Sequence, residues 1–319
     1  MNSSKSTILG NTLIKTQMVF NIGLLWCVLW LSVACQPKIN IAFDGYVEPY
    51  IGDTIPYSLA SHEIISDKLL IFLPPSLDTV SFENTDLYKN IYKNGYDILC
   101  IYKAPAKGVM FYPRKNLDFK GQHVQFANNL IEHLKKSKKI NPKANLSIMG
   151  MGMGSYMVPL ISATHKADTS IFINGSPFST FLTYERIANG DIPYTEGRAS
   201  YLKEKFDLDS LSSFKIKVDA VKTDHPEMFT LGKYTNMFWL SYHANFFIEE
   251  YQSLTGKAVW VFFKDYPLNN ISDLDYLKVL ESTRKNASVD YLKLPGEGSF
   301  KGDDWEVMEE TLIKYFPSN

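Results

Sequence analysis

Three cysteines in 319 residues leave no pair for a disulfide framework. Cys27 lies inside an apolar run, Cys35 closes that run, and Cys100 sits within the apolar stretch Tyr96 to Tyr102. Neither sign of charge is in excess. Against 33 Lys and Arg stand 34 Asp and Glu, so the balance gives no reason to expect a nucleic-acid partner. The six histidines are scattered, and none falls between Asp265 and the C-terminus. No cluster of His, Cys, Asp or Glu has the spacing of a metal site, so neither metal nor cofactor is expected. Repeats and low-complexity tracts are missing as well. What remains is length enough for one large α/β domain with a full core.

The N-terminal residues stand apart. Lys5 and Lys15 precede a charge-free apolar run, Met18 to Val33, which ends at Leu31-Ser32-Val33-Ala34-Cys35. The run is short for a membrane span of ~20 residues. Small residues before a cut describe a secretory signal peptide over residues 1–34, with the mature domain over 35–319. The alternative is a signal anchor that stays uncleaved. A cysteine directly after the small residues resembles the lipobox of bacterial lipoproteins. That resemblance implies an acylated Cys35, a membrane partner through the lipid anchor and a place in the cell envelope. Gln36, Pro37 and Lys38 follow, with no aspartate for inner-membrane retention and no acidic cluster for surface export. The expected location is the periplasmic face of an outer membrane.

The chain is organised around Leu146 to Ala163, L-S-I-M-G-M-G-M-G-S-Y-M-V-P-L-I-S-A. An apolar strand-like run passes through Gly150, Gly152 and Gly154 into a helix-compatible segment. Strand, sharp glycine-rich turn, helix is the context of the G-x-S-x-G nucleophile elbow, where crowding of strand and helix excludes Cβ atoms. Here the middle position is Gly152, so the frame is present and the serine is not. A phosphate cradle is the competing reading. Its G-x-G-x-x-G fingerprint is not matched, because Ser155 and Tyr156 fall where the third glycine belongs.

Before and after this turn, strand and helix patterns alternate. Strands are expected at Ile39 to Phe43, Ile55 to Leu59, Lys68 to Leu73, Tyr96 to Tyr102, Thr169 to Ile173, Ala258 to Phe263 and Ser288 to Leu294. Helices are expected at Leu87 to Lys93, Gln122 to Leu134 and about Asp303 to Tyr315. The alternation predicts an α/β fold with a mostly parallel sheet covered on both faces. Residues 176–254, irregular and aromatic-rich from Phe178 to Phe247, read as a helical cap. Those aromatics either pack the cap or line an apolar pocket. Lys135, Lys136, Lys138 and Lys139 suit the dipole at a helix C-terminus, with anionic lipid as the alternative.

The order of these elements resembles the α/β-hydrolase fold over Ile39 to Phe316, in particular dienelactone-hydrolase-like and acyl-ester hydrolase or peptidase members. Asn94-Gly95-Tyr96, Asn141-Pro142, Gly296-x-Gly298 and the strand before Lys264-Asp265-Tyr266-Pro267 carry the likeness. The resemblance implies a serine nucleophile, an acid-oriented histidine and two backbone N–H donors for an oxyanion. The nucleophile position is Gly152 and the acid position is Asp265. Where the histidine usually follows the G-x-G stretch, Ser299 stands. The oxyanion loop reads Pro74-Pro75-Ser76, and proline has no N–H to donate. An inactive, lipid-anchored hydrolase-like protein that binds a small apolar ligand or an envelope protein is the expected function. The alternatives are an active ester or acyl hydrolase or transferase built on Ser155, Ser299, His225 and His243, and an envelope component that binds no small ligand.

Overall fold

The computed structural model describes residues 39–47, 54–75, 82–102, 119–176, 180–221, 230–231, 234–235, 248–268, 277–278, 282, 288–296, 298 and 303–318. The chain divides into two units, Met1–Ile39 and Asn40–Asn319, and the second carries the fold. Its strands are β1 (Ile41–Val47), β2 (Thr54–Ala60), β3 (Lys68–Leu73), β4 (Asp97–Ile101), β5 (Asn145–Met151) and β6 (Thr169–Ile173), then the short pair β7 (Thr230–Leu231) and β8 (Tyr234–Thr235), then β9 (Lys257–Phe263) and β10 (Val289–Leu294). Eight of them form one sheet in the order β1-β2-β4-β3-β5-β6-β9-β10. β2 is antiparallel to both neighbours, and every pairing from β4 to β10 is parallel. The α/β architecture expected from the alternation is the one observed.

The helices are α1 (Asp86–Lys93), α2 (Phe119–Lys136), α3 (Val158–His165), α4 (Thr180–Ala188), α5 (Glu196–Phe206), α6 (Leu211–Val221), α7 (Ile248–Ser253) and α8 (Asp303–Leu312). α1 shows why the local code works. Thr85 caps it by accepting from Tyr88 N at 3.1 Å, and Leu87, Tyr88, Ile91 and Tyr92 make one buried face. It stops at Asn94-Gly95, where Gly95 takes a φ of 89° that other residues avoid. Element bounds differ from the sequence reading by a few residues. β1 starts later and reaches Val47, because its whole length pairs with β2.

One face of the sheet is covered by α2, α3 and α7 around Trp260, which is fully buried, stacks on Phe172 at 4.2 Å and donates Nε1–H to the Tyr251 hydroxyl at 3.0 Å. The other face buries Phe72 against Phe82 at 4.2 Å, with Tyr88 edge-on to Phe82. α4, α5 and α6 make a core of their own from Phe181, Tyr184, Ile187, Leu202, Phe214 and Val218. The cap expected over about 176–254 therefore needs one correction. Tyr251 and Leu254 belong to the sheet's core, so α7 is part of the layer on the sheet. Phe178, Phe238, Trp239, Tyr242 and Phe247 lie outside the described residues. Among the described residues, no helix is long and apolar enough to cross a membrane.

Between α2 and α3, His165 accepts at Nδ1 from Lys135 Nζ at 3.0 Å and meets Asn128 Oδ1 through Nε2 at 3.1 Å. Glu132 is 3.5 Å from the same Nδ1, but that nitrogen accepts from Lys135 and carries no proton to offer it. Burial, with the Lys135 charge adding to it, pushes the imidazole down to about 4 from 6.5. Below pH 6.5 the unfolded chain takes up a proton that the folded one refuses. This contribution to stability is full above that pH and falls by roughly 3 kcal/mol as the pH drops to about 4. Urea denaturation of the parent and of His165→Gln across this range should show the parent losing stability relative to the variant. A pH-independent difference between the two would contradict the assignment.

Candidate active site

The carboxyl ends of β3, β5, β6 and β9 meet at one end of the sheet, where open α/β sheets hold their ligands. β5 is buried from Leu146 onward and stays extended through Met151, with φ −118°. Gly152 then turns into the left-handed region at φ 49°, and the chain passes through a 3-10 turn, Gly152–Tyr156, into α3. A Cβ on Gly150 would lie 2.7 Å from the Gly154 carbonyl oxygen, and one on Gly154 would lie 2.6 Å from the Pro74 carbonyl oxygen. These two glycines let strand, helix and the end of β3 close on one another. The apex between them is a nucleophile elbow in shape, and it carries no side chain.

Pro75 sits over that apex, its Cβ 3.2 Å from where a Gly152 Cβ would be. Met153, next after the apex, has a backbone N–H; Pro75 has none. Ser76 lies outside the described residues, as do Ser299, His225 and His243. Ser155 is buried, and its hydroxyl donates to the Gly152 carbonyl at 2.5 Å. A Cβ on Gly175 would meet that same Oγ, so the hydroxyl is packed beneath the end of β6 and does not face an open cleft. Asp265 is exposed in the turn after β9, tied by its backbone N–H to the Gly296 carbonyl at 3.0 Å. Of the three histidines whose side chains are described, His62 and His165 lie at the opposite end of the sheet, by the termini that follow β2 and α3, and His133 on α2 packs against Tyr46 of β1 at 5.1 Å.

Two features escaped the sequence reading. Asn174, at the end of β6, takes φ 47° and is buried. Its Oδ1 accepts from Phe263 N at 3.0 Å, its own N–H donates to the Val261 carbonyl at 2.8 Å, and Nδ2 reaches the Gly298 carbonyl at 3.4 Å. One amide thus clamps β6, β9 and the loop after β10. The Asn-Gly pair after an apolar strand, Asn174-Gly175, was the available signal. The second feature is a group of phenols from separate elements: Tyr156 after the elbow, Tyr184 and Tyr201 on the cap, and Tyr266 beside Asp265. The Tyr184 and Tyr201 hydroxyls are 3.3 Å apart. Burial pushes the Tyr184 and Tyr266 phenols well up, and nearby Tyr201 adds to it, so both stay neutral donors. Arg198 on α5 donates to the Pro267 carbonyl at 2.9 Å and pins the cap to the Asp265 turn. Among the described residues, no group of three His, Cys, Asp or Glu side chains could hold a metal ion.

Known structures share the fold. A thermostable carboxyl esterase from Bacillus coagulans is similar over 87% of this chain and 98% of its own, with a TM-score of 0.59 at 12% identity. A lipase in its open form matches the same shares at a TM-score of 0.57 and 9% identity. The α/β hydrolase GrgF from Penicillium sp. sh18 does so at 0.54 and 14%. The chain has the α/β-hydrolase fold. No family model matches the sequence, and no curated protein does. At such identities the likeness concerns the α/β-hydrolase fold alone, and the chemistry rests on the residues.

The elbow glycines rank themselves by what a methyl group would hit. Gly154→Ala drives a Cβ into the backbone carbonyls of Leu73 and Pro74, which cannot swing away. Gly152→Ala costs about 1–2 kcal/mol for a left-handed alanine, plus a tight contact with Pro75. Chemical denaturation should find Gly154→Ala the more damaging of the two. The reverse order would mean the elbow is not closed on β3 in this way.

Proposed function

We propose that this protein is an exported, lipid-anchored member of the α/β-hydrolase architecture that binds and does not hydrolyse. The observation that carries the reading is Gly152 at the apex of a complete elbow, under Pro75. Acyl transfer needs an atom to attack the carbonyl, a base to take its proton and donors for the oxyanion. Gly152 offers no attacking atom. Ser155 spends its proton on the Gly152 carbonyl, and the described histidines are engaged elsewhere, His62 and His165 at the far end of the sheet and His133 against Tyr46 on β1. Pro75 brings no N–H to the loop that normally supplies one. What such a site retains is a capped end of the sheet with neutral phenol donors, suited to holding a small apolar ligand or a segment of an envelope protein.

The anchor is inferred from the run that ends Ser32-Val33-Ala34-Cys35. One acyl chain binds a bilayer only marginally, whereas the several chains of bacterial lipoproteins hold firmly. Cys35→Ala should abolish metabolic labelling with a fatty acid and alter processing of the leader; undiminished labelling removes the anchor from the account. Turnover of a panel of activated aryl esters tests the rest. Triad-less enzymes that keep an oxyanion hole retain roughly 10³–10⁴-fold acceleration over water, so the informative comparison is with Ser155→Ala. The expected result is a rate near background that survives this substitution. Robust turnover lost in Ser155→Ala would make the protein an active hydrolase.

A further inference from the structure

The end of the sheet opposite the elbow collects lysines and two solvent-facing isoleucines. Topology brings them together. Ile41 pairs with Ala60, so the chain enters β1 at the end where β2 runs out into residues 61–67. Lys68 pairs with Asn145, which places the start of β3 and the segment after α2 at the same end. Asp168 N donates to the Leu146 carbonyl at 2.8 Å and brings in the residues that follow α3. Helices running back from the elbow deliver their carboxyl ends here. Lys136, Lys138, Lys139, Lys143 and Lys166 are exposed on them or just beyond. Ile64 is 87% exposed and Ile65 38%.

The loop that carries these isoleucines is held in place. Asp97 accepts from His62 N and from Ser66 N, each at 2.9 Å, and His62 Nδ1 is 2.9 Å from the same carboxylate. The His62 ring also stacks on Tyr92 at 4.1 Å. Both shoulders are pinned, and Ile64 and Ile65 project between them. Helix-dipole compensation accounts for cations in a last helical turn. It does not account for Lys143, well past α2, nor for two adjacent isoleucines facing water. Acidic groups are present, and several are engaged: Asp44 with Lys139, Glu132 with Lys135, Asp168 with Leu146 N. Glu63 and Asp67 remain exposed on the loop.

We propose that this end is a membrane-docking face: Ile64 and Ile65 enter the interfacial layer of an anionic bilayer, and Lys136, Lys138, Lys143 and Lys166 lie against its headgroups. The proposal rests on the lipid-anchored reading. Cys35 precedes Ile41 by six residues, an extended reach of roughly 20 Å, and Ile41 is at this end. A tether of that length keeps this end within reach of the bilayer that would hold the lipid. An anionic surface attracts each lysine by a factor of roughly five in partitioning.

The test uses the full acylated chain with Ile64→Cys, labelled with a polarity-sensitive fluorophore, in vesicles containing phosphatidylglycerol. Cys100 is fully buried and will not compete for label. A nitroxide-bearing lipid should quench the label at position 64 and spare one at Ile216→Cys, a residue 69% exposed on the cap. Reversing Lys136, Lys138 and Lys143 to Glu should lower the buried fraction at position 64 several-fold. A label at 64 that stays open to aqueous iodide while the chain floats with the vesicles overturns the docking face. Equal quenching at 64 and 216 does so too. If mass spectrometry finds no acyl group on Cys35, the anchor reading fails separately. The chain with Cys27→Ser and Cys35→Ser, labelled at position 64 and added from solution to excess anionic vesicles, then decides the docking face by whether that label is quenched.

Discussion

Where β5 meets β3 and α3, backbone approaches backbone too closely for a Cβ, and the rest of the site depends on that approach. Gly150 admits Val158 and the Gly154 carbonyl; Gly154 admits the carbonyls of Leu73 and Pro74. The strand can then turn into its helix within a few residues, and Gly152 is left at the apex in a left-handed conformation. In an acyl-transfer enzyme such a turn lifts a hydroxyl out of the sheet. Here the same strain presents bare backbone beneath Pro75. Glycine at the apex also relieves the cost that a serine would incur there, about 1–2 kcal/mol.

The surroundings are built with comparable care, which argues against a site merely decaying. Asn174 uses both ends of its amide and its own N–H to lock β6, β9 and the loop after β10. Gly298 takes φ 63° against Asn174 and Phe263, so that loop is drawn in against β6 and β9. Tyr184, Tyr201 and Tyr266 supply neutral hydroxyls between cap and sheet. Two of the described histidines instead serve the opposite end: His165 neutral between two helices, His62 bracing a loop on Asp97. The two ends of the sheet thus carry different chemistry, buried phenols at one and a concentration of exposed lysines at the other.

Much of the fold was legible in the residues because its signals are local. The apolar runs of β3, β6 and β9, the stop of α1 at Asn94-Gly95 and the glycine spacing of the elbow each follow from short-range rules, and the mostly parallel sheet follows from the alternation of strands and helices, whereas the exchange of β3 and β4 in its order does not. The site was legible where it depends on one residue in a turn, as at Gly152 and Pro75. It was not legible where it depends on contacts between distant segments. Nothing around Asn174 announces a partner 89 residues away, and the pairing of Tyr184 with Tyr201 and Tyr266 needs the cap docked. The place of α7 was not legible for a related reason. α7 looks like its neighbours in composition, yet Tyr251 finds its partner in Trp260 on the sheet.

The elbow has no nucleophile at Gly152, and among the described residues nothing nearby replaces it. Treatment of the purified protein with a fluorophosphonate probe, followed by peptide mapping, tests this most directly. The account predicts no labelled peptide from the Leu146 to Ala163 segment and none from Ser299. A serine labelled in either place, with label and ester turnover both lost on its change to alanine, would contradict it.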